Sequence, residues 1–338
     1  MKIIPRIVFV ACTTLLAAGL RASPAANAFL GRWALTLPDG RAGWLEVKQE
    51  NGWLDGSLLW GGGSVLPVAS VTLDGSVLTV TRVRDLPRKN AAGKVVRTHQ
   101  ITETITARVT GDTLALTYAA PQNDGIGFNR GQLTGRRIPP LPPRPNLQQV
   151  KFGPPIKLFD GRSLAGWTAK ETDRPNRWTI ESGALVNRPD AHVAGRPRKR
   201  SANLQTQRQF EDFNLRLEVL VPEGSNSGIY LRGLYEVQIS DSYGKPLDSH
   251  NMGAIYSRMT PSVSAERPAG RWQTLDLTLV DRHATVILNG HTIIDNQPLE
   301  GCTGAAMWSD EFRPGPIFLQ GDHGPVSYRN LVLRPVVR

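Results

Sequence analysis

The chain has 338 residues, of which 40% are hydrophobic and 20% charged, a foldable composition that excludes a disordered or fibrous protein. Its length favours two domains over one. The formal charge of +11 is strong, but the arginines are dispersed except at Arg196, Arg198, Lys199 and Arg200, so a nucleic-acid surface is not expected.

Lys2 and Arg6 precede an apolar run from Ile7 to Leu20, and Ala26-Asn27-Ala28 supplies the small residues a signal peptidase requires. The run is too short for a permanent membrane anchor. Phe9-Val10-Ala11 before Cys12 is a poor lipoprotein signal. Residues 1–28 therefore read as a cleavable signal peptide, with a periplasmic or secreted bacterial protein as the expectation. Cleavage removes Lys2, Arg6 and Arg21 and no acidic residue, taking the charge from +11 to +8. It also leaves Cys302 as the only cysteine, which excludes an intrachain disulfide and a thiolate metal cluster.

From residue 29 to 138, short alternating runs predict strands at Arg32–Leu37, Trp44–Gln49, Leu54–Trp60, Val65–Leu73, Val77–Arg84, Thr98–Thr110 and Thr113–Tyr118. Turn signals such as Asn51-Gly52, Asp74-Gly75 and Gly111-Asp112 separate them. This spacing predicts a small β-barrel or β-sandwich. Trp33, Trp44, Trp53 and Trp60 are either its core or a sugar-binding surface. Five prolines between Pro139 and Pro145 then predict a stiff, extended linker over 139–150, with few reasons to be buried.

Residues 151–338 show a second set of strands. Trp178–Ile180 and Ala184–Val186 flank Glu181-Ser182-Gly183. Phe213–Val221, Trp272–Leu279, Gly315–Gln320 and Pro325–Leu333 alternate, and Asn289-Gly290 marks a hairpin between His283–Leu288 and Thr292–Asp295. About a dozen strands without a long helix predict an all-β, two-sheet jelly roll.

The stretch Asn226–Asp241, NSGIYLRGLYEVQISD, carries the polar groups of interest. Strand alternation puts Ile229 and Leu231 on one face and Tyr230 and Arg232 on the other. After Gly233, Tyr235, Val237 and Ile239 alternate with Glu236, Gln238 and Ser240. The polar face is either a solvated sheet surface or a site.

Several segments, in order, resemble the 3-keto-disaccharide hydrolase family: LFDGRSLAGW, WTIESGALV, FEDFNLRLEV, NSGIYLRGLYEVQISDSYG, GAIY, AGRWQTLDL, ATVILNGHTII and GPIFLQGDHGPVSYRNL. The match spans about Ile156 to Val336. It implies a concanavalin-like jelly-roll β-sandwich whose concave face binds carbohydrate, and an enzyme cleaving glycosidic bonds of 3-keto disaccharides or related glycosides. The glucanase pattern of alternating carboxyls is broken, because Gln238 cannot ionise and Asp241 has the wrong parity.

A 3-keto sugar suits elimination followed by hydration. Glu236 or Asp241 would be the base, Arg232 or a bound cation would stabilise the enolate, and His323 would be the acid or a metal ligand. A turn histidine is the competing reading of His323. Asn226, Gln238 and Gln320 suit sugar hydroxyls, and Tyr243, Tyr256 and Trp308 suit stacking on sugar rings, against ordinary packing for each aromatic. No cofactor is specified, although the chemistry admits a divalent cation. The expected partner is an oligosaccharide or glycoside, with no nucleic acid and no membrane insertion. The alternatives are a non-catalytic carbohydrate-binding β-sandwich and a structural β protein, which fold alone does not separate.

Overall fold

The computed structural model describes residues 24–190 and 200–338. The apolar leader up to residue 23, and Arg196, Arg198 and Lys199 of the basic run, lie outside the described residues.

Past a single helical turn at Pro24–Asn27, nine strands form one antiparallel sheet. They are β1 (Gly31–Thr36), β2 (Ala42–Glu50), β3 (Trp53–Trp60), β4 (Leu66–Pro67), β5 (Ser70–Asp74), β6 (Val77–Lys89), β7 (Val95–Thr110), β8 (Thr113–Pro121) and β9 (Phe128–Arg137). Their order is β4-β3-β2-β1-β9-β8-β7-β6-β5. The sheet curls until its ends approach: the Val68 N–H donates to Gly56 O at 3.0 Å, and a Cβ on Gly56 would lie 3.3 Å from Val71. Closure of this kind protects sheet edges. Trp33, Leu35, Leu45, Val47, Leu78 and Leu116 alternate inward to fill it. β9 was not expected from the sequence, because only Leu133 and Gly135 of its ten residues are buried.

Of the four tryptophans, Trp33 is core and Trp44 is buried against the second half of the chain, while Trp53 is exposed at a hairpin end. Trp60 packs edge-on against Tyr118. They do not form one sugar-binding surface.

Among the described residues, the second half holds thirteen strands in two sheets. The strands are β10 (Ile156–Lys157), β11 (Trp167–Ala169), β12 (Trp178–Glu181), β13 (Ala184–Asn187), β14 (Leu204–Thr206), β15 (Phe213–Leu220) and β16 (Asn226–Leu231). They continue with β17 (Tyr235–Ser240), β18 (Trp272–Val280), β19 (His283–Leu288), β20 (His291–Pro298), β21 (Phe318–Leu319) and β22 (Val326–Pro335). The larger sheet runs β12-β13-β22-β15-β18-β19-β20, with β10 also on β22, and the smaller runs β11-β14-β21-β16-β17. Leu215, Leu217, Val219, Leu277 and Val286 of the first face Leu204, Ile229, Val237 and Leu319 of the second in one core. Burying each such side chain contributes about 1.5–3 kcal/mol. A one-residue slip of β15 would expose Phe213, Leu215, Leu217 and Val219 and cost on the order of 8 kcal/mol, which fixes the register.

The connection over residues 138–155 contains no strand, and most of its prolines are exposed, as a stiff spacer would be. It is nonetheless docked, unlike the undocked seam expected from the sequence. Pro139 O accepts from Arg282, Pro145 O from Asn296 Nδ2 at 2.8 Å, and Arg144 reaches Asp295 at 3.1 Å. Ala42, Trp44, Leu59 and Ile138 belong to the core cluster of the second half.

Candidate active site

The site lies on the face of the five-stranded sheet that points away from the core. Register alone builds it. Gln205 of β14 pairs with Phe318 of β21, Phe318 with Tyr230 of β16, and Tyr230 with Glu236 of β17. One step along lies a second row. Lys170 donates its N–H to Asn203 O, the Gln320 N–H donates to Gly228 O, and Gly228 pairs with Gln238. Side chains two residues apart on a strand share a face, so these two rows form one polar surface. The expected clustering of Glu236, Gln238 and Gln320 is found here, with Asn226 at the start of β16 on the same face.

Glu236 sits at the centre. Its side chain is 4% exposed. Gly228 across the strand pair leaves room for it, since a Cβ there would lie 2.2 Å from Glu236 Oε1. The Tyr230 hydroxyl lies 2.8 Å from Glu236 Oε2 and 2.7 Å from Gly304 O. The Glu236 N–H donates to Thr303 Oγ1 at 2.9 Å. Tyr230 is held flat against Phe318, with ring centroids 4.4 Å apart. Burial lifts the Glu236 carboxyl from 4.5 to about 8; the Tyr230 hydrogen bond opposes the rise and the negative Asp322 adds to it.

The hydrogen positions follow from this arrangement. A tyrosine hydroxyl has one hydrogen, and it cannot serve both Glu236 and Gly304. Gly304 O can only accept. When Glu236 is ionised the Tyr230 O–H donates to Oε2; when it is protonated, every atom is satisfied if Glu236 donates to Tyr230 Oη and Tyr230 donates to Gly304 O.

Gln205, Gln238 and Gln320 each have a buried Oε1 atom with no partner. Buried polar atoms are seldom left unpaired, and three on one face make a surface that lacks hydrogen-bond donors. Sugar hydroxyls are donors of that kind.

At the margin, Asp322 Oδ1 lies 2.7 Å from His323 Nδ1, and its Oδ2 is 3.5 Å from Arg174 and 3.3 Å from Arg200. Burial pushes the Asp322 carboxyl up, but His323 and the two arginines outweigh it and hold it below the usual range. Lys170 lies over the Phe318 ring at 5.6 Å and pairs with Glu171 at 2.8 Å.

Other expected residues are elsewhere. Arg232 is not on this face. The strand ends at Leu231, Arg232 adopts a left-handed φ of 58°, and its guanidinium donates to the carbonyls of Glu311 and Arg313. Strand alternation does not extend through a left-handed residue. Asp241 follows β17 and accepts the Gly224 N–H at 2.9 Å, so it serves a turn. Trp308 packs under Arg313 at 4.0 Å, beside the β16–β17 turn. Tyr243 is exposed in the turn after β17. Tyr256 donates its N–H to Glu236 O at 3.0 Å and sets its ring edge-on to His250.

The sequence reading missed Tyr230, Asp322, Asn203, Gln205 and Lys170 as site residues. Asp322 was within reach, since it continues the parity of Phe318 and Gln320. Lys170, Asn203 and Gln205 come from distant segments, and only the sheet order brings them in. Among the described residues, no group of three or more His, Cys, Asp or Glu side chains is placed to hold a metal ion. Cavities of about 640 and 540 Å³ lie away from Glu236. The first is lined chiefly by threonine and aliphatic side chains and the second by the seam between the two halves, and neither gathers an acid, a base and sugar-binding amides. Burial pushes the Cys302 thiol up to about 12, which leaves it inert.

The model of the 3-keto-alpha-glucoside-1,2-lyase-like domain matches residues 154–334, more than half of the chain. A 3-keto-disaccharide hydrolase of Bacteroides thetaiotaomicron is 24% identical over 184 residues, which cover 46% of this chain and 60% of that relative's length. A candidate glycosyl hydrolase of known structure from Parabacteroides distasonis is 28% identical with a TM-score of 0.42, covering 59% of this chain and 93% of that one. A carbohydrate-binding module from Bacillus subtilis is 11% identical with a TM-score of 0.34, covering 49% and 94%. Through residues 154–334, the chain belongs to the family of 3-keto-alpha-glucoside-1,2-lyase-like domains.

Proposed function

We propose that the protein is a carbohydrate-active enzyme that cleaves 3-keto glycosides by elimination and hydration, with Glu236 moving the proton. The observation that carries this reading is a buried carboxyl whose side-chain partner is a neutral tyrosine, beside three amides with unpaired oxygens. A ketone at C3 acidifies the hydrogen on C2. Glu236 as carboxylate takes that proton, and the aglycone departs from C1 as the C1–C2 double bond forms. The carboxylic acid so made returns the proton to the leaving oxygen. Water then adds across the double bond, so the net result is hydrolysis.

A group that acts as base and then acid works best when it protonates near the working pH. At pH 7 a carboxyl protonating at about 8 is ionised in roughly one molecule in ten, and each ionised group is a strong base. The glutamines hold the sugar hydroxyls. Lys170 and the Asp322–His323 pair are the charged groups nearest to hand for the enolate and for the added water.

The test is to offer a 3-keto disaccharide and its unoxidised parent to the wild type and to Glu236→Gln in deuterated solvent. Turnover of the keto substrate alone, with deuterium entering at C2 and a large loss in the variant, supports the reading. Cleavage without deuterium uptake would indicate direct hydrolysis, and retention without cleavage would indicate a binding module.

We also infer export, supported by Lys2, Arg6, the apolar run and the Ala26–Ala28 small-residue site. Mass spectrometry of the mature chain should find Phe29 at or near its N-terminus. An acylated Cys12 or an uncleaved leader would overturn this.

A further inference from the structure

The groups hydrogen-bonded to Glu236 and Tyr230 are not all in their own sheet. Thr303 and Gly304 come from a segment, Glu300–Ala305, that follows β20 and contains no strand. The nine-stranded N-terminal sheet holds this segment at several points. Trp44 Nε1–H donates to Glu300 O at 2.9 Å, and Arg32 pairs with the Glu300 carboxylate at 2.8 Å. The Ala305 N–H donates to Gly61 O at 2.9 Å. Gly304 is packed so tightly on Gly63 that a Cβ would lie 2.1 Å from Gly63 O.

The same Gly61–Val65 turn ties down the second loop beside Glu236. Ser64 Oγ lies 2.9 Å from His250 Nε2, and the Val65 N–H donates to Ser257 Oγ at 2.9 Å. Between those two anchors sits Tyr256, bonded through its N–H to Glu236 O.

We propose that the N-terminal β unit is a positioning element for the active site: Trp44 and the Gly61–Val65 turn press Gly304 against Tyr230, so that Gly304 O claims the tyrosine hydrogen and Glu236 is held as the acid. The proposal rests on the reading of Glu236 as the proton-moving group. If Gly304 withdraws, the Tyr230 hydrogen is released to the Glu236 carboxylate, and a hydrogen bond to the charged form favours ionisation. The other titratable groups facing Glu236 are Asp322, three residues past β21, and Tyr328 of β22, with Tyr256 facing Tyr230. None of these is contacted by the Gly61–Val65 turn through a side-chain hydrogen bond among the described residues.

The test uses the full-length chain labelled with ¹³C at the glutamate carboxyls, with the Glu236 signal assigned by its loss in Glu236→Gln. The titration needs no substrate, so it remains readable even if 3-keto glycosides prove not to be turned over. Gly304→Ala drives a methyl into Gly63 O and separates the two segments. Trp44→Phe keeps a ring in the core but removes the N–H that holds Glu300.

The wild-type signal should titrate near 8. It should fall by about one pH unit or more in Gly304→Ala, and by less in Trp44→Phe. In active preparations the pH profile of kcat should move with it. Unchanged midpoints in variants with a native near-ultraviolet circular dichroism spectrum would overturn the proposal, because a merely structural clamp would change melting but not titration. If Gly304→Ala does not fold, Trp44→Phe alone decides.

Discussion

Glu236→Gln should abolish turnover and at the same time stabilise the fold in alkaline solution. The carboxyl protonates at about 8 in the folded chain, against an ordinary value of 4.5. Because the folded state holds the proton more tightly, the native fold is favoured fully below pH 4.5. The advantage is lost as pH rises through about 8, where the unfolded chain has long since ionised. At about 1.4 kcal/mol per pH unit, the loss approaches 5 kcal/mol above pH 8, an upper figure because local relaxation and water entry relieve part of it. Glutamine has the same shape and no titration. Its N–H replaces the acid O–H toward Tyr230 Oη, so Tyr230 can still donate to Gly304 O. The variant should match the wild type near pH 4.5 and exceed it increasingly up to pH 9. A shallower slope should remain, because Glu311, lifted by burial to about 7, acts in the same direction. Urea unfolding across pH 5–9 reads the stability, and kcat with the keto substrate should fall by about 10²–10⁴. A variant less stable than the wild type at every pH, with an unchanged slope, would mean that Glu236 is ionised and paired in the native state, and the reasoning would fail.

Gly228→Ala places a methyl 2.2 Å from Glu236 Oε1, so the carboxyl must move; kcat should fall about 10²-fold while melting changes much less. Gln238→Leu combined with Gln320→Leu removes two unpaired buried oxygens, so stability in urea should hold or rise while KM increases about tenfold; an unchanged KM would remove both residues from substrate binding. Asp322→Asn removes a negative neighbour of Glu236, so the Glu236 carboxyl should titrate lower by ¹³C NMR; an unchanged or higher midpoint would show that Asp322 does not raise it.

How much could be read from the sequence depended on how local each signal was. The hairpins at Asn51-Gly52, Ser182-Gly183 and Asn289-Gly290 were legible because their turns need left-handed residues, and each has positive φ at both central positions. The alternation of Glu236 with Gln238 was legible because β17 is regular over six residues. Arg232 was misplaced by the same rule, applied one residue past the end of β16. Gly315–Gln320 was expected as a strand, yet only Phe318–Leu319 pairs within one. β10, β11 and β14 are two or three residues long, too short for any period to show. Of the missed residues Tyr230 lies on β16, within the polar stretch itself, whereas Asn203, Gln205, Lys170 and Asp322 lie on or just before β14, just past β11 and beyond β21, and their membership follows from sheet order rather than from a motif.

Two buried glutamates lie near the β16–β17 hairpin, and both hold their protons unusually tightly, so the shift alone does not identify a catalytic group. Their surroundings do. Glu311 accepts from Tyr235 at 3.1 Å and lies among Arg282, Arg258 and Arg232, with Arg282 Nε at 3.7 Å. Tyr235 belongs to the core, and although Glu311 borders the seam cavity, its carboxyl is buried among cations. Glu236 is on the opposite face. Its partners are a neutral tyrosine and a threonine hydroxyl, and among the described residues the charge that acts on it is the like-charged Asp322. A carboxyl buried with cations can be ionised without catalytic use. One buried without them costs stability, and carboxyls of that kind cluster at functional sites. The three unpaired glutamine oxygens lie on the side of Glu236; the unpaired atoms near Glu311 are its own Oε1 and the Nε atoms of Arg232 and Arg282, whose side chains are bonded through other atoms. Burial without a counter-charge and the unpaired amides point to the same face, and together they support the proposal of Glu236 rather than Glu311 as the proton-moving group.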